Sequence, residues 1–270
     1  MSVTGEQLAI LRDEGYGVFA GAVPVGLCDA VVDAIGTECG VRLHDPATWS
    51  TISAEIDQVP LWADQAQWDI RQLPRLHEIW SAVWGRADLW ADMNSCRVTP
   101  PWRDGIADAL PIHFDVDPRD ATQQWFPGLV ALTDAPAGHG GFRCVPSLYR
   151  DREAWPATWT TTSYGTEYRP DTAEREIVEV PLRKGDLLVF DSHLPHGTVR
   201  NHGASPRAAF YVQLHPQGTD AEREERLADV AAGRCPSWWR WKPGHDRLDP
   251  RRPLLTEHGQ RLLGMRPWPV

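Results

Sequence analysis

From about residue 88 the chain consists of short runs in which apolar and polar residues alternate, separated by Pro, Gly and Asp. Each run is long enough for one short strand, and alternation with a period of two is typical of strands. Many short strands at this spacing predict a β-sandwich or barrel rather than alternating β–α units. The runs are LWADMNSCRV, IHFDVD, GLVALTDA, GGFRCVPS, EIVEVPL, GDLLVFDS and AAFYVQLH.

Helical patterns flank these strands on both sides. Thr4 and Gln7 have capping-box spacing at the start of a short helix through Arg12. Residues 74–84 carry apolar side chains at helical spacing, and we interpret that stripe as core packing. The other predicted helices are PVGLCDAVVDAIGTECG, TDAEREERLADVAAG and a small one near LTEHGQRLLG, and YGVFAGA is predicted as a strand.

These patterns predict one domain with three parts. Residues 1–87 form a mostly helical support, residues 88–216 a β-sandwich or barrel core, and residues 217–270 a helical extension. The fold class is therefore mainly β with flanking helices. The chain has 270 residues, a size that all-β domains often reach.

Charge and cysteine content narrow the class of protein. The net charge of −10 disfavours binding to nucleic acid or to an anionic membrane. Five scattered cysteines without a CxxC pair disfavour a disulfide framework or a zinc knot. The first residues lack a basic-then-apolar signal pattern, and no run reaches the ~20 apolar residues that span a bilayer. We expect a cytoplasmic protein that acts on a small molecule; its oligomeric state is not predicted.

The stretch IHFDVD places His113, Asp115 and Asp117 at every second position. In a strand, such residues project from one face, so the imidazole and the first carboxylate can reach one metal ion together. A third ligand must come from elsewhere in the chain. Two histidines and one carboxylate leave three open positions, an arrangement that suits non-haem Fe(II) and oxygen chemistry.

Residues 185–207 strengthen this hypothesis. Here the strand GDLLVFD leads into the His-rich turn SHLPHG, and the strand RAAFYVQLH follows. In that last strand one face is apolar, while the other carries Arg207, Tyr211 and Gln213. An arginine aimed into a barrel can bind a carboxylate through two parallel hydrogen bonds. A surface salt bridge is the alternative for Arg207.

The motifs HFD, GLVALTDAPAGHGGFRCVPS and GDLLVFDSHLPHG…N…SPR together resemble the phytanoyl-CoA dioxygenase-like family of Fe(II)/2-oxoglutarate oxygenases. The resemblance extends over about residues 90–216. It implies a double-stranded β-helix, the jelly-roll barrel of the cupin type, with flanking helices. It also implies three cofactors or co-substrates, which are Fe(II), 2-oxoglutarate and O2.

The resemblance assigns the site residues by position. It implies that His113, Asp115 and His196 bind the metal and that Arg207 holds the far carboxylate of 2-oxoglutarate. His193 competes with His196, which is preferred because a Gly follows it and an Asn lies five residues later. The chain departs from the family in the segment HGGFRCVPSLY, which lacks an expected Asn and His, so no acyl-CoA substrate is inferred.

Further assignments rest on weaker patterns. Arg97, Gln124 and Thr133 are candidate contacts to the co-substrate, with a structural ion pair as the alternative for Arg97. Asp117 is interpreted as a solvent-exposed strand end. Trp125 and Phe126 are either walls of the substrate pocket or core residues.

The resemblance implies oxidation of an unactivated C–H bond of a small molecule, and the carboxylate of Asp115 argues against halogenation. The acidic, Trp-, Ala- and Arg-rich composition suggests secondary metabolism in a bacterium of high GC content. Two alternatives stay open. The first is a non-catalytic jelly-roll binding protein; the second is a cupin-like metalloenzyme that does not use 2-oxoglutarate.

Overall fold

The computed structural model describes residues 3–51, 56–59, 61–104, 109–152, 162–164, 167–237, 240 and 248–269. Within these ranges no helix combines the length and the apolar character needed to cross a membrane. The α-helices are α1 Gly5–Glu14, α2 Val25–Cys39, α3 Gln65–Arg71, α4 Pro74–Trp84, α5 Pro146–Arg150, α6 Asp220–Ala232 and α7 Glu257–Leu263. A 3-10 helix covers Pro46–Thr51.

The strands are short and lie mostly in the middle of the chain. They are β1 Tyr16–Phe19, β2 Ile56–Val59, β3 Leu89–Ala91, β4 Cys96–Thr99, β5 Gly128–Ala131, β6 Phe142–Cys144, β7 Thr162–Tyr164, β8 Glu167–Arg169, β9 Val178–Val180, β10 Leu187–Phe190, β11 His196–Thr198, β12 Arg207–Val212 and β13 Leu214–Pro216.

The strands form two main antiparallel sheets. The larger sheet has the order β1–β10–β5–β12–β4–β2, and the smaller has the order β11–β6–β9. An isolated bridge between His113 and His196 adds the HFD segment to the edge of the smaller sheet. Consecutive strands thus cross between the sheets, as they do in a jelly roll, and the predicted fold class is confirmed.

Strand β12 shows why the alternating pattern produces this architecture. Ala208 and Phe210 point to one side and pack in the main core, where α2 and α4 also bury their apolar residues. Ala209 points to the other side, into the space between the two sheets, with Phe142 and Phe190. Because side chains alternate between faces, one strand supplies both the outer core and the barrel interior.

The flanking helices follow their sequence signals closely. In α1 the Thr4 hydroxyl accepts from the Gln7 amide at 3.2 Å, and the Gln7 side chain accepts from the Thr4 amide at 3.0 Å. The predicted stripe on residues 74–84 is buried at Leu76, Ile79 and Trp80. Burial of large apolar side chains of this kind contributes roughly 2–3 kcal/mol each.

Some elements differ from the prediction. The run LWADMNSCRV forms two strands, β3 and β4, which belong to different sheets. The run IHFDVD is not a regular strand, since only His113 and Phe114 form bridges. Helices α3 and α5 were not predicted, and both are short, so their periodic signal is weak.

Candidate metal centre

Three side chains converge at one end of the barrel. One Asp115 carboxylate oxygen lies 3.5 Å from Nε2 of His113, and the other lies 3.7 Å from Nε2 of His196. One donor atom from each residue lies within 4.8 Å of the other two. The two imidazoles are buried, whereas the Asp115 side chain is 38 % exposed. The site therefore opens on the side of the carboxylate.

Backbone carbonyls orient both imidazoles. Nδ1 of His113 lies 2.9 Å from the carbonyl oxygen of Pro111, and Nδ1 of His196 lies 2.9 Å from that of Leu194. A carbonyl only accepts hydrogen bonds, so each Nδ1 carries the proton. In the neutral form of each ring the lone pair is then on Nε2, the atom that faces Asp115. This is the arrangement that metal-binding histidines require.

The backbone explains how residues so far apart in sequence meet. His113 donates its amide to the carbonyl of His196 at 2.9 Å, and His196 donates to the carbonyl of His113 at 2.9 Å. The two imidazole rings consequently lie with centroids 4.6 Å apart.

Close packing of the backbone requires a glycine at position 197, directly after His196. A Cβ on Gly197 would lie 2.6 Å from the Leu110 carbonyl oxygen and 2.7 Å from that of Pro111. The Pro111 carbonyl is the one that orients His113, so the missing side chain at position 197 allows β11 to approach the segment that carries the first ligand.

The charges of the three groups act on one another. Loss of hydration raises the pKa of Asp115, but the neighbouring His196 and His113 outweigh this and place the pKa below its ordinary value. Burial lowers the pKa of His196 to about 4, and the charge of Arg97 acts in the same direction. At neutral pH the site therefore offers a carboxylate and a neutral imidazole on His196, both able to donate electron pairs to a metal.

His193 has a different environment. Its Nδ1 lies 3.1 Å from the Asp191 carboxylate, and its Nε2 lies 3.1 Å from the Asp120 carbonyl oxygen. Asp191 is buried and also accepts from Gln124 at 2.7 Å and from Tyr149 at 3.1 Å. The hydrogen bond to Asp191 raises the pKa of His193. Both nitrogens of His193 face acceptors, so neither presents a lone pair to a metal.

Asp117 also lies outside the convergent group. Its two carboxylate oxygens accept from Arg119 at 2.9 and 2.8 Å, and this hydrogen bonding lowers its pKa. The side chain is 24 % exposed. Asp117 thus forms a local surface ion pair rather than a third member of a row on one strand face.

Arg207 and Arg97 both belong to the barrel interior. In the pairing of β12 with β4, Arg207 stands opposite Thr99 and Ala209 stands opposite Arg97, so all four share the face between the sheets. Arg207 is 1 % exposed. The alternative of a surface salt bridge is therefore wrong for Arg207. Its guanidinium is inside the barrel, which is the position that binding of a carboxylate in the barrel would require. Its role toward 2-oxoglutarate stays a prediction.

The remaining candidates occupy other positions. The Thr133 hydroxyl accepts from the Ala208 amide at 3.0 Å, so it supports β12 directly. Gln124 binds Asp191, as described above, and Phe126 packs against the main core. Trp125 is 43 % exposed and lines a cavity. As contacts to the co-substrate, Arg97, Gln124 and Thr133 stay predictions.

The cavity beside Trp125 has a volume of about 700 Å³. Its wall is continuous with the segment that carries His196, since the Ser192 amide donates to the Trp125 carbonyl at 2.9 Å and the Trp125 amide donates to the Ser192 hydroxyl at 3.0 Å. The cavity wall is therefore hydrogen-bonded to the turn that precedes His196, although none of the three converging side chains lines the cavity.

A model of a known protein family matches the segment that carries these residues. The family model described as Phytanoyl-CoA dioxygenase (PhyH) matches residues 101–209, a range that includes His113, Asp115, His196 and Arg207. This segment of the chain is similar to the phytanoyl-CoA dioxygenase family. The resemblance predicted from the sequence motifs is thereby confirmed.

A curated relative gives the same family name. The protein named "Putative phytanoyl-CoA dioxygenase" of Dictyostelium discoideum is 24 % identical over 96 residues, which are 34 % of this chain and 27 % of that protein. The chain thus spans about a quarter of the relative that it matches.

Solved structures show the fold over nearly the whole chain. The epimerase SnoN, solved with Fe3+, alpha ketoglutarate and nogalamycin RO, is 17 % identical with a TM-score of 0.58, and the match covers 94 % of this chain and 96 % of that one. HygX from Streptomyces hygroscopicus, solved with nickel and 2-oxoglutarate, is 19 % identical with a TM-score of 0.54, covering 80 % and 88 %. At these identities the likeness establishes the jelly-roll barrel.

Several site residues were not predicted from the sequence. The rings of Phe142 and Phe190 lie 5.4 and 4.5 Å from that of His196 and shield it from water. Asp191 holds the turn before His196, and its position directly ahead of SHLPH is a typical turn signal that could have revealed it. No local pattern marks the two phenylalanines, because they come from different strands.

Proposed function

We propose that the chain is an Fe(II)- and 2-oxoglutarate-dependent oxygenase that oxidises an unactivated C–H bond of a small molecule. The observation that carries the proposal is the geometry of His113, Asp115 and His196, in which each imidazole presents Nε2 and the acid presents a carboxylate toward one point. Two nitrogens and one oxygen are a donor set that suits Fe(II) and leaves coordination positions for other ligands.

The residues present fit the implied co-substrate as well. Arg207 would bind the far carboxylate of 2-oxoglutarate with its planar guanidinium, and the barrel interior around it is lined by apolar side chains such as Phe142 and Phe190. Bound iron would supply the oxidation of the C–H bond by O2, coupled to conversion of 2-oxoglutarate to succinate and CO2.

The chain's own groups hold and shield the reactants. The carbonyls of Pro111 and Leu194 keep the proton of each imidazole on Nδ1, and burial keeps His196 neutral. The packed aromatic rings exclude water from the inner side of the site. The Asp115 carboxylate would hold the metal at a position that a halide would otherwise need, so we propose oxidation rather than halogenation.

Succinate formation from 2-oxoglutarate is the test. We expect succinate to form with Fe(II) and O2, and to fall to background when Fe(II) is withheld or when His113 is replaced by Ala. A binding protein without chemistry predicts no metal-dependent succinate. A cupin-like metalloenzyme of another type predicts metal binding with no consumption of 2-oxoglutarate, and either result would overturn the proposal.

A further inference from the structure

A nearly buried arginine lines the 700 Å³ cavity beside Trp125. Arg226 in α6 is 8 % exposed, and its Nε donates to the Leu263 carbonyl at 3.0 Å. Its guanidinium lies 5.8 Å from the centroid of the Trp90 ring, and its Nη2 has no hydrogen-bond partner among the described residues. A buried charged donor without a partner is costly, so this position calls for an anion.

Asp92 is the carboxylate whose charge acts on Arg226, but it already has a partner. Nε2 of His215 lies 3.2 Å from the Asp92 carboxylate, and Nδ1 of His215 lies 2.9 Å from the Pro216 carbonyl oxygen. The Asp92 carboxylate is therefore engaged by His215, and it forms no ion pair with Arg226 among the described residues.

Arg226 keeps its positive charge in this buried position. Burial lowers the pKa of Arg226 to about 10, which still leaves it charged at neutral pH. Arg226 is thus a charged group in the cavity wall with one donor, Nη2, that no described residue satisfies.

The other acids of the cavity are engaged elsewhere or lie at its rim. The Glu222 carboxylate accepts from the backbone and side chain of Thr219 at the start of α6. Asp229 forms ion pairs with Arg234 and Arg240. Glu225 is exposed. None of these acids forms an ion pair with Arg226 within the described part of the chain.

Aromatic rings make up much of the remaining wall. Trp84, Trp90 and Trp125 line the cavity, and the ring of His215 lies edge-on to Trp90 and Trp125 at 6.4 and 6.0 Å. Flat apolar faces beside a single cationic group suit a ligand with an apolar or aromatic body and one acidic group.

We propose that Arg226 binds a carboxylate of the substrate, and that the substrate is an amphipathic carboxylic acid whose apolar body packs against the tryptophans. The planar guanidinium and the planar carboxylate can form two parallel hydrogen bonds. Calling the occupant a substrate rests on the proposed function, since the cavity wall is hydrogen-bonded at Trp125 to the turn that precedes His196.

A matched pair of probes tests the charge requirement. The protein is loaded with Ni(II) and saturating 2-oxoglutarate, so that the metal centre and Arg207 are occupied and turnover does not occur. Calorimetric titration then compares 4-phenylbutyrate with 4-phenylbutyramide. We expect the acid to bind about tenfold or more tightly than the amide, as a charge-assisted pair provides. Equal affinities in the wild-type protein would overturn the inference.

Variants of two arginines in α6 test whether Arg226 causes the preference for the acid over the amide. Arg226→Gln should bind the acid and the amide equally, with the affinity for the amide unchanged, and Arg226→Lys should retain part of the preference. Arg223→Gln is the matched control, because Arg223 is on α6 and pairs with exposed Asp220 instead. A preference for the acid that survives in Arg226→Gln would contradict the proposal, and the wild-type comparison decides the matter even if that variant fails to fold.

The two proposals fail in different ways. Metal-dependent succinate formation without any preference for the acid would refute the Arg226 site alone. A clear preference for the acid without metal-dependent succinate would support the Arg226 site and refute the oxygenase.

Discussion

His113 and His196 each donate the backbone amide to the carbonyl of the other, both at 2.9 Å. This reciprocal pair fixes the two imidazoles side by side, and the carbonyls of Pro111 and Leu194 then set which nitrogen of each ring faces Asp115. The candidate metal centre is therefore built mainly from backbone geometry, to which three side chains are attached.

Replacement of His196 tests its assignment as a metal ligand. We expect His196→Gln to lose metal affinity by at least about 100-fold, more than is typical for a supporting residue, because a direct ligand is removed. The matched variant His193→Gln should bind the metal much more tightly than His196→Gln, since both nitrogens of His193 are already used. Metal content after dialysis measures both. If the His193 variant loses its bound metal and the His196 variant retains it, then His193 and not His196 is the metal ligand.

We expect a substitution of Arg207 to weaken the binding of 2-oxoglutarate and to leave the binding of iron unchanged. Arg207→Lys keeps a positive charge in the barrel but removes the planar fork, so we expect KM for 2-oxoglutarate to rise roughly tenfold. Iron affinity measured without 2-oxoglutarate should be unchanged. The role assigned to Arg207 is wrong if iron binding is lost while affinity for 2-oxoglutarate stays the same.

Gly197→Ala should damage the site through the backbone. The new Cβ would contact the Leu110 and Pro111 carbonyl oxygens at 2.6 and 2.7 Å, so β11 must shift away from the segment that orients His113. We expect a loss of about 1–3 kcal/mol in the free energy of unfolding, and weaker metal binding. Urea denaturation and metal titration measure these effects. Gly26→Ala is the control, because nothing lies within 4 Å of its Cβ position, and equal effects of the two changes would contradict the explanation.

The C-terminal helix α7 should make the protein sensitive to acid. Burial and then the charge of His77 lower the pKa of His258 to about 4. The folded protein thus favours the neutral ring. Its stabilising effect is complete above the ordinary pKa of about 6.5 and is lost as the pH falls from there toward 4.

The His258→Gln variant should therefore lose less stability between pH 7 and pH 5 than the wild-type protein. Chemical denaturation at the two pH values measures the difference, and His44→Gln serves as the control because His44 is exposed. An unchanged pH dependence in His258→Gln would exclude His258 as the cause.

Local patterns predicted much of the fold. The capping box at Thr4, the stripe on residues 74–84 and the alternation in residues 207–212 each depend on the geometry of one helix or strand, and each was found in the structure. The division of residues 89–98 between two sheets was not predicted, because the break at Asp92–Ser95 depends on which strands pair with each half.

The sequence by itself determined most of the central strands, the longer flanking helices and a set of candidate ligands, because side-chain periodicity and turn residues act over a few positions of the chain. Only the tertiary structure decided that His196 and not His193 faces Asp115, that Arg207 is inside the barrel, and that Arg226 lines the neighbouring cavity. These relationships depend on hydrogen bonds and packing between segments far apart in sequence, and no local spacing encodes which of those segments will meet.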